Sequence, residues 1–313
     1  MVLPFACMNI VALFSGQGAQ KVGMGKDFYD SSATARALMD QADEVLGFSL
    51  TQVMFEGPEE ELTRTSRCQP ALYLHGLVAQ ALLLERLPLQ VTATAGLSLG
   101  EFTAHAAAGT FSFADGLRLV ARRGEFMEQA CQATEGAMAA LIGGEESAIR
   151  ELAAACDVDI ANLNAPGQIV LSGSVAGIDA AVEKAKDFGI RRAIKLNVAG
   201  AYHSRLMQSA QDLLAAEMAS VSMQSPSMPV VCNFGASVVS DPTEIRTMLE
   251  KQVTGSVRWT ESISALAAQG HTKFIEFGPG KVLAGLVGKI NKDLEILSIE
   301  DLASLESAVE KWG

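Results

Sequence analysis

Gly96-Leu97-Ser98-Leu99-Gly100 restricts the possible folds of this chain more than any other stretch. Val91–Ala95 before it is small and partly β-branched and reads as a buried strand. Phe102–Ala108 after it reads as a helix, with Gly109 as the stop. A serine at the apex of a strand-turn-helix needs glycine on both sides. The backbone there is strained, and a side chain would meet the neighbouring strand or helix. The turn also aims the first helical N–H groups at whatever the Ser98 hydroxyl attacks, so a developing oxyanion meets donors and a positive dipole end. The competing reading is a tight turn in the core. The strand and helix flanks make Ser98 the candidate nucleophile.

Other segments place this turn in a larger alternation. Asn9–Phe14 is an apolar run that stops at Ser15-Gly16-Gln17-Gly18, a buried strand ending in a glycine loop. A dinucleotide phosphate loop would need a third glycine where Lys21 stands. Gln17 is instead placed to offer its N–H or side chain to a substrate, the alternative being a plain turn residue. Residues 27–65 read as helix and loop, with an acidic, solvated stretch at Glu56–Glu61. Pro70 reads as lying just inside the start of a helix running to about Leu87, apolar on nearly every face and therefore inside the core. The next helix, Phe113–Ala130, carries Arg122 and Arg123, which point in directions about 100° apart, so one of them at most faces a pocket.

Residues 137–199 have their own rhythm. Ala137–Ile142, Asp159–Leu163, Gln168–Ser172 and Arg192–Val198 read as strands, with helices at Glu145–Cys156 and Ala176–Phe188. That βαββαβ order is the split βαβ of ferredoxin-like units. It predicts a small subdomain, 132–199, inserted into a larger one made of 1–131 and 200–313. Helix Leu206–Ala219, strand Pro229–Asn233, helices Glu244–Val253 and 260–269, strand Phe274–Phe277 and helix 281–290 follow. Alternation outside the insert implies an α/β fold with a mainly parallel sheet covered on both faces.

A net charge of −12 argues against nucleic acid or an anionic membrane as a partner. The five cysteines, Cys7, Cys68, Cys131, Cys156 and Cys232, are scattered and odd in number, which fits free thiols in a reducing compartment. No apolar run reaches the ~18 residues of a membrane span, and residues 1–8 lack the charged start of a signal peptide.

Four histidines compete to be the base for Ser98. His75 lies in the apolar helix, His105 points back over the helix that follows Ser98, and His271 reads as an exposed turn residue. His203, between the insert and the helix after it, has the chain order and placement that a base requires. A hydrolase triad also wants a carboxylate between serine and histidine in chain order. Asp157, Asp159, Asp179, Glu183 and Asp187 all fall inside the insert, so either the orienting group is not an acid or the enzyme is no ordinary α/β-hydrolase.

Several spaced motifs resemble the malonyl-CoA:acyl carrier protein transacylase family. They are Phe14-Ser15-Gly16-Gln17-Gly18, Gln69-Pro70-Ala71, Gly96–Glu101, Arg123-Gly124, Gly136–Ala140, Asn164–Gln168, His203 with Met207, and Glu276–Lys281. The resemblance implies an α/β-hydrolase-like large subdomain with a ferredoxin-like one inserted. It implies Ser98 as nucleophile and His203 as general base and acid. A backbone carbonyl near Gly255 would orient the imidazole, and the N–H groups of Leu99 and Gln17 would form the oxyanion hole. Arg123 would hold the malonyl carboxylate in the bidentate geometry that a guanidinium favours. Two departures stand out: bacterial members usually have His where Leu97 stands and Pro where Ser15 stands. Leu97, Gly200–His203 and Gln252–Thr254 resemble the plastid form, so bacterial cytoplasm and plastid stroma are both expected compartments.

The implied reaction is ping-pong transfer from malonyl-CoA to the phosphopantetheine thiol of holo acyl carrier protein, with no cofactor and no metal, in a monomer. Tyr202 beside His203 is expected to favour malonyl over methylmalonyl. Arg191, Arg192 and Lys195, or Lys281 and Lys289, are candidates for carrier docking. Alternatives are a serine esterase or thioesterase, a non-catalytic acyltransferase-like module, and a trans-acting transferase of polyketide synthesis.

Overall fold

A computed structural model of the protein describes residues 8–313, so Cys7 and most of the segment read as lacking a signal-peptide start lie outside the described residues. The strands run in chain order as β1 (Met8–Phe14), β2 (Leu89–Gly96), β3 (Gly136–Ile142), β4 (Asp159–Ala165) and β5 (Gln168–Ser174). After them come β6 (Arg192–Lys195), β7 (Val230–Cys232), β8 (Ser237–Val238), β9 (Lys273–Phe277) and β10 (Glu295–Ile299). Six of them form one sheet in the order β10-β9-β1-β2-β7-β8. All its pairings are parallel except β7–β8. Parallel strands need helical crossovers, which bury both faces, and β1 accordingly has Ile10 to Phe14 buried in succession.

The second sheet is antiparallel, in the order β4-β5-β3-β6. With helices Glu146–Ala155 and Val175–Lys184 it makes the expected βαββαβ unit, around its own core of Leu141, Ile149, Leu152, Leu171 and Ile178. The antiparallel sheet is tied to the segment before helix Trp259–Ala268, where Leu163 N–H donates to the Val257 carbonyl and Val257 N–H to that of Ala161. The fold is thus α/β, a mainly parallel sheet with a separate antiparallel one.

Several boundaries differ from the sequence expectation. The apolar helix spans Thr65–Arg86, so Pro70 lies inside it as expected but about a turn further from its start. Strand β6 stops at Lys195 instead of reaching Val198. β8, β10 and the last helix, Leu302–Trp312, were not anticipated. The strand pattern Glu-Ile-Leu-Ser-Ile is short and half-buried, which gives weak periodicity. His271 is half-buried rather than exposed, its Nδ1 3.4 Å from Thr92 Oγ1.

The turn after β2 is where the fold is tightest. A Cβ on Gly96 would lie 1.9 Å from the Gly100 carbonyl carbon, and one on Gly100 would lie 2.1 Å from the Phe14 carbonyl oxygen. Both obstacles are backbone atoms, which cannot swing aside. Gly96→Ala is therefore expected to destabilise the protein by about 3 kcal/mol or more. Urea unfolding would check this; a loss below about 1 kcal/mol would show that the turn relaxes freely.

Candidate active site

Ser98 occupies the apex of the turn between β2 and helix Leu99–Ala107, with φ 55° and ψ −106°. Non-glycine residues rarely hold that conformation, and they do so where the surroundings over-determine it. The surroundings here are polar clamps. Ser98 N–H donates to Asn233 Oδ1 at 2.7 Å, and Asn233 Nδ2 donates to the Gly96 carbonyl at 2.7 Å. The Gln252 side chain, through Nε2, donates to the Ser98 carbonyl at 2.9 Å.

His203 also has positive φ, 56°, in the loop that leaves the antiparallel sheet. Its Nε2 lies 2.7 Å from Ser98 Oγ, and its Nδ1 lies 2.8 Å from the Gln252 carbonyl oxygen. A carbonyl only accepts, so Nδ1 carries the proton and the Nε2 lone pair faces the hydroxyl. Gly255 was the position expected to supply this carbonyl; the Nδ1 bond goes instead to Gln252. Gln252 ends helix Pro242–Gln252, where terminal carbonyls lack helical partners. The Gly255 N–H turns back to the Lys251 carbonyl, and the Gly255 carbonyl is a lesser support for the ring. Among the described residues no carboxylate is in hydrogen-bond contact with the ring, and Asp157 and Asp159 pair with Arg205 on the surface.

The two neighbouring arginines separate as helical geometry requires. Arg122 is exposed and paired with Glu125, whereas Arg123 is 1% exposed. Arg123 donates to Gln69 Oε1 at 2.8 Å, to Gln252 Oε1 at 2.9 Å and to Ser98 Oγ at 3.1 Å. Its guanidinium also lies over the Phe102 ring, 5.2 Å from the centroid. Burial lowers its pKa to about 10, so it stays charged at neutral pH.

Ser98, His203 and Arg123 line one cavity of about 580 Å³. Gln17, Leu99 and Tyr202 line it too. The glycine loop carrying Gln17 lies against the turn: a Cβ on Gly16 would be 2.5 Å from the Leu97 carbonyl oxygen. Tyr202 is anchored by its hydroxyl, 2.8 Å from Thr65 Oγ1. The other histidines are elsewhere. His75 Nε2 lies 3.1 Å from the Glu300 carbonyl oxygen, and His105 Nδ1 lies 3.0 Å from Thr110 Oγ1. Sequence reasoning assigned no role to Gln69, Asn233 or Glu101, nor to Gln252. Gln69 and Glu101 at least fall inside recognisable motifs; Asn233 carries no local signal.

A serine hydroxyl facing an oriented neutral imidazole, beside a buried cation and on an α/β frame, defines an enzyme site for nucleophilic acyl transfer. The acyl transferase domain family model matches residues 11–304. A malonyl CoA-acyl carrier protein transacylase of Bacillus subtilis is 42% identical over 96% of both chains. One of Haemophilus influenzae is 36% identical over 96% of this chain and 97% of its own. The crystal structure of an acyl-carrier-protein-S-malonyltransferase from Bartonella henselae superposes with a TM-score of 0.92 at 39% identity, covering 98% of this chain and all of that one. The chain belongs to the malonyl-CoA:acyl carrier protein transacylase family.

Burial, followed by the nearby Arg123 charge, lowers the His203 pKa from 6.5 to about 4, against the opposing pull of the Gln252 carbonyl. The imidazole must be neutral to accept the serine proton, so reactivity is lost as pH falls through the folded pKa. Labelling of Ser98 by a neutral fluorophosphonate should therefore show its acid limb near pH 4. A limb at 6.5, the ordinary value, would contradict the dry environment assigned to the ring.

Proposed function

We propose that the protein carries a malonyl group from malonyl-CoA to the phosphopantetheine thiol of a holo acyl carrier protein, supplying extender units for fatty-acid synthesis. The observation that carries this reading is Arg123, a buried cation held by two glutamines with one nitrogen at the Ser98 hydroxyl. A neutral acyl group has no use for it, and a dicarboxylic one does. That favours a malonyl transferase over a plain esterase.

The reaction is ping-pong. Ser98 Oγ attacks the thioester carbonyl as His203 Nε2 takes its proton. The C–S bond breaks, and CoA leaves with that proton as the free thiol. The carrier's thiol then enters, gives its proton to His203 and attacks the malonyl-serine ester, and Ser98 leaves reprotonated. The N–H groups of Leu99 and Gln17 receive the oxyanion in both halves. Leu99 opens its helix, so its N–H adds the positive dipole end. The cavity lies between the large part, 1–131 with 200–313, and the insert, 132–199, which we read as two subdomains. Tyr202 lines the cavity and is held by Thr65, and we read it as the side chain that crowds a branched acyl group and favours malonyl.

A structure described as a type II PKS acyl-carrier protein in complex with its malonyl-transacylase has a TM-score of 0.92 at 34% identity, covering 97% of this chain and 99% of that one. It supports a carrier protein as acceptor and keeps a polyketide carrier as the second reading. Lys195 on β6 pairs with Asp179, and Lys281 and Lys289 are on or beside helix Val282–Ile290, whose Val282 and Leu286 line the cavity. These basic residues are the docking candidates for an acidic carrier. Among the described residues no helix is long and apolar enough to cross a membrane.

Intact-mass measurement after mixing with malonyl-CoA or acetyl-CoA tests the reading. A malonyl adduct should form, vanish in Ser98→Ala, and form about 100-fold more slowly in Arg123→Ala, with acetylation much less affected. Rapid turnover of a neutral ester with no malonyl adduct would establish the esterase instead.

A further inference from the structure

One carboxylate beside the site takes no part in the reaction above. Glu101 lies in the first turn of helix Leu99–Ala107 and is fully buried. Its Oε2 accepts from the Asn233 backbone N–H at 2.9 Å and from Gln252 Nε2 at 2.7 Å. These are the two residues that clamp the nucleophile turn. Asn233 holds Ser98 N–H and the Gly96 carbonyl. Gln252 holds the Ser98 carbonyl and Arg123 through its side chain, and His203 through its backbone.

A side-chain amide is nearly symmetric in shape but not in bonding. A guanidinium only donates, so Gln252 must turn its oxygen to Arg123. Two acceptors face the other end, the Ser98 carbonyl at 2.9 Å and Glu101 Oε2 at 2.7 Å, and only the second belongs to a side chain that can be varied. Remove Glu101 Oε2 and one of these two amide bonds is lost, so the Gln252 oxygen is held less firmly toward the guanidinium. On its other side a Glu101 oxygen, a His105 ring nitrogen and Cys232 Sγ lie within 4.8 Å of one another. Burial lowers the His105 pKa to about 3 and raises that of the Cys232 thiol. Both neighbours are therefore neutral, and neither offers the carboxylate a charged partner.

We propose that Glu101 is a positioning residue: through Asn233 and Gln252 it sets the elbow, the Arg123 fork and the His203 ring with a single carboxylate oxygen. The inference rests on the acyl-transfer reading. Two conservative variants separate position from charge. Glu101→Gln keeps an acceptor oxygen in place and drops the charge. Glu101→Asp keeps the charge and withdraws the carboxylate from both donors by one methylene.

The readout is the rate of acyl-Ser98 formation from malonyl-CoA and from acetyl-CoA, with melting curves for each variant. Glu101→Asp should slow malonylation by about 100-fold, the cost of a misplacement near 1 Å, and acetylation by less. Glu101→Gln should recover malonylation to within about tenfold of wild type. Glu101→Asp equal to or faster than Glu101→Gln overturns the proposal. Gln252→Met, made alone and with Glu101→Asp, covers the case in which one variant does not fold. Its malonyl-over-acetyl loss should match that of Glu101→Asp, and the double variant should lose less than the product of the two. Losses that multiply overturn the relay. A wild-type protein that forms no malonyl-Ser98 would instead overturn the acyl-transfer reading, leaving the two failures distinguishable.

Discussion

The contact between the turn after β2 and the end of β1 governs everything built above it. Phe14 presents its carbonyl oxygen to the Leu97 N–H at 3.2 Å and stands 2.1 Å from where a Gly100 side chain would begin. Two backbones at that separation cannot slide past one another. Ser98 therefore stays in a conformation it would not choose, and the loop carrying Gln17 is brought to the same edge. Asn233 and Gln252 hold the strained turn with three hydrogen bonds, to the Ser98 N–H, the Gly96 carbonyl and the Ser98 carbonyl. The strain sits on the reacting atom, where strained backbone tends to be concentrated.

Charge in this dry site is handled by sharing partners. Arg123 is fully buried but hydrogen-bonded to two glutamines and a serine, as buried cations must be. Burial raises the Glu101 pKa to about 7, with Asn233, Gln252, Cys232 and Arg123 opposing the rise. His203, Arg123 and Glu101 all meet at Gln252, which contacts each of them with a different atom. A backbone carbonyl in place of an acid behind the imidazole fits this economy. The carbonyl fixes the tautomer without adding charge.

Much of this was legible beforehand. The Gly-Leu-Ser-Leu-Gly turn, the strand-helix alternation and the βαββαβ order depend on residues adjacent in the chain, and their periodicity is written locally. Arg123 rather than Arg122 as the inward arginine follows from the direction in which successive helical residues point, once the pocket is known. His203 followed from elimination among four histidines. The half-buried β10 and the early start of the Thr65–Arg86 helix were not legible, because neighbours remote in sequence settle where such elements begin and end.

The sequence by itself determined that a serine would be raised on a glycine-flanked elbow within an α/β frame, since that rests on steric limits of consecutive residues. Only the tertiary structure decided that Gln252, ahead of Gly255, would hold the imidazole. It alone decided that Glu101 and Asn233 would brace the turn. Gln252 lies 154 residues from Ser98 and 151 from Glu101. Bonds across such separations are set by how helix ends and strand ends pack, and by which carbonyls a helix leaves without partners where it stops.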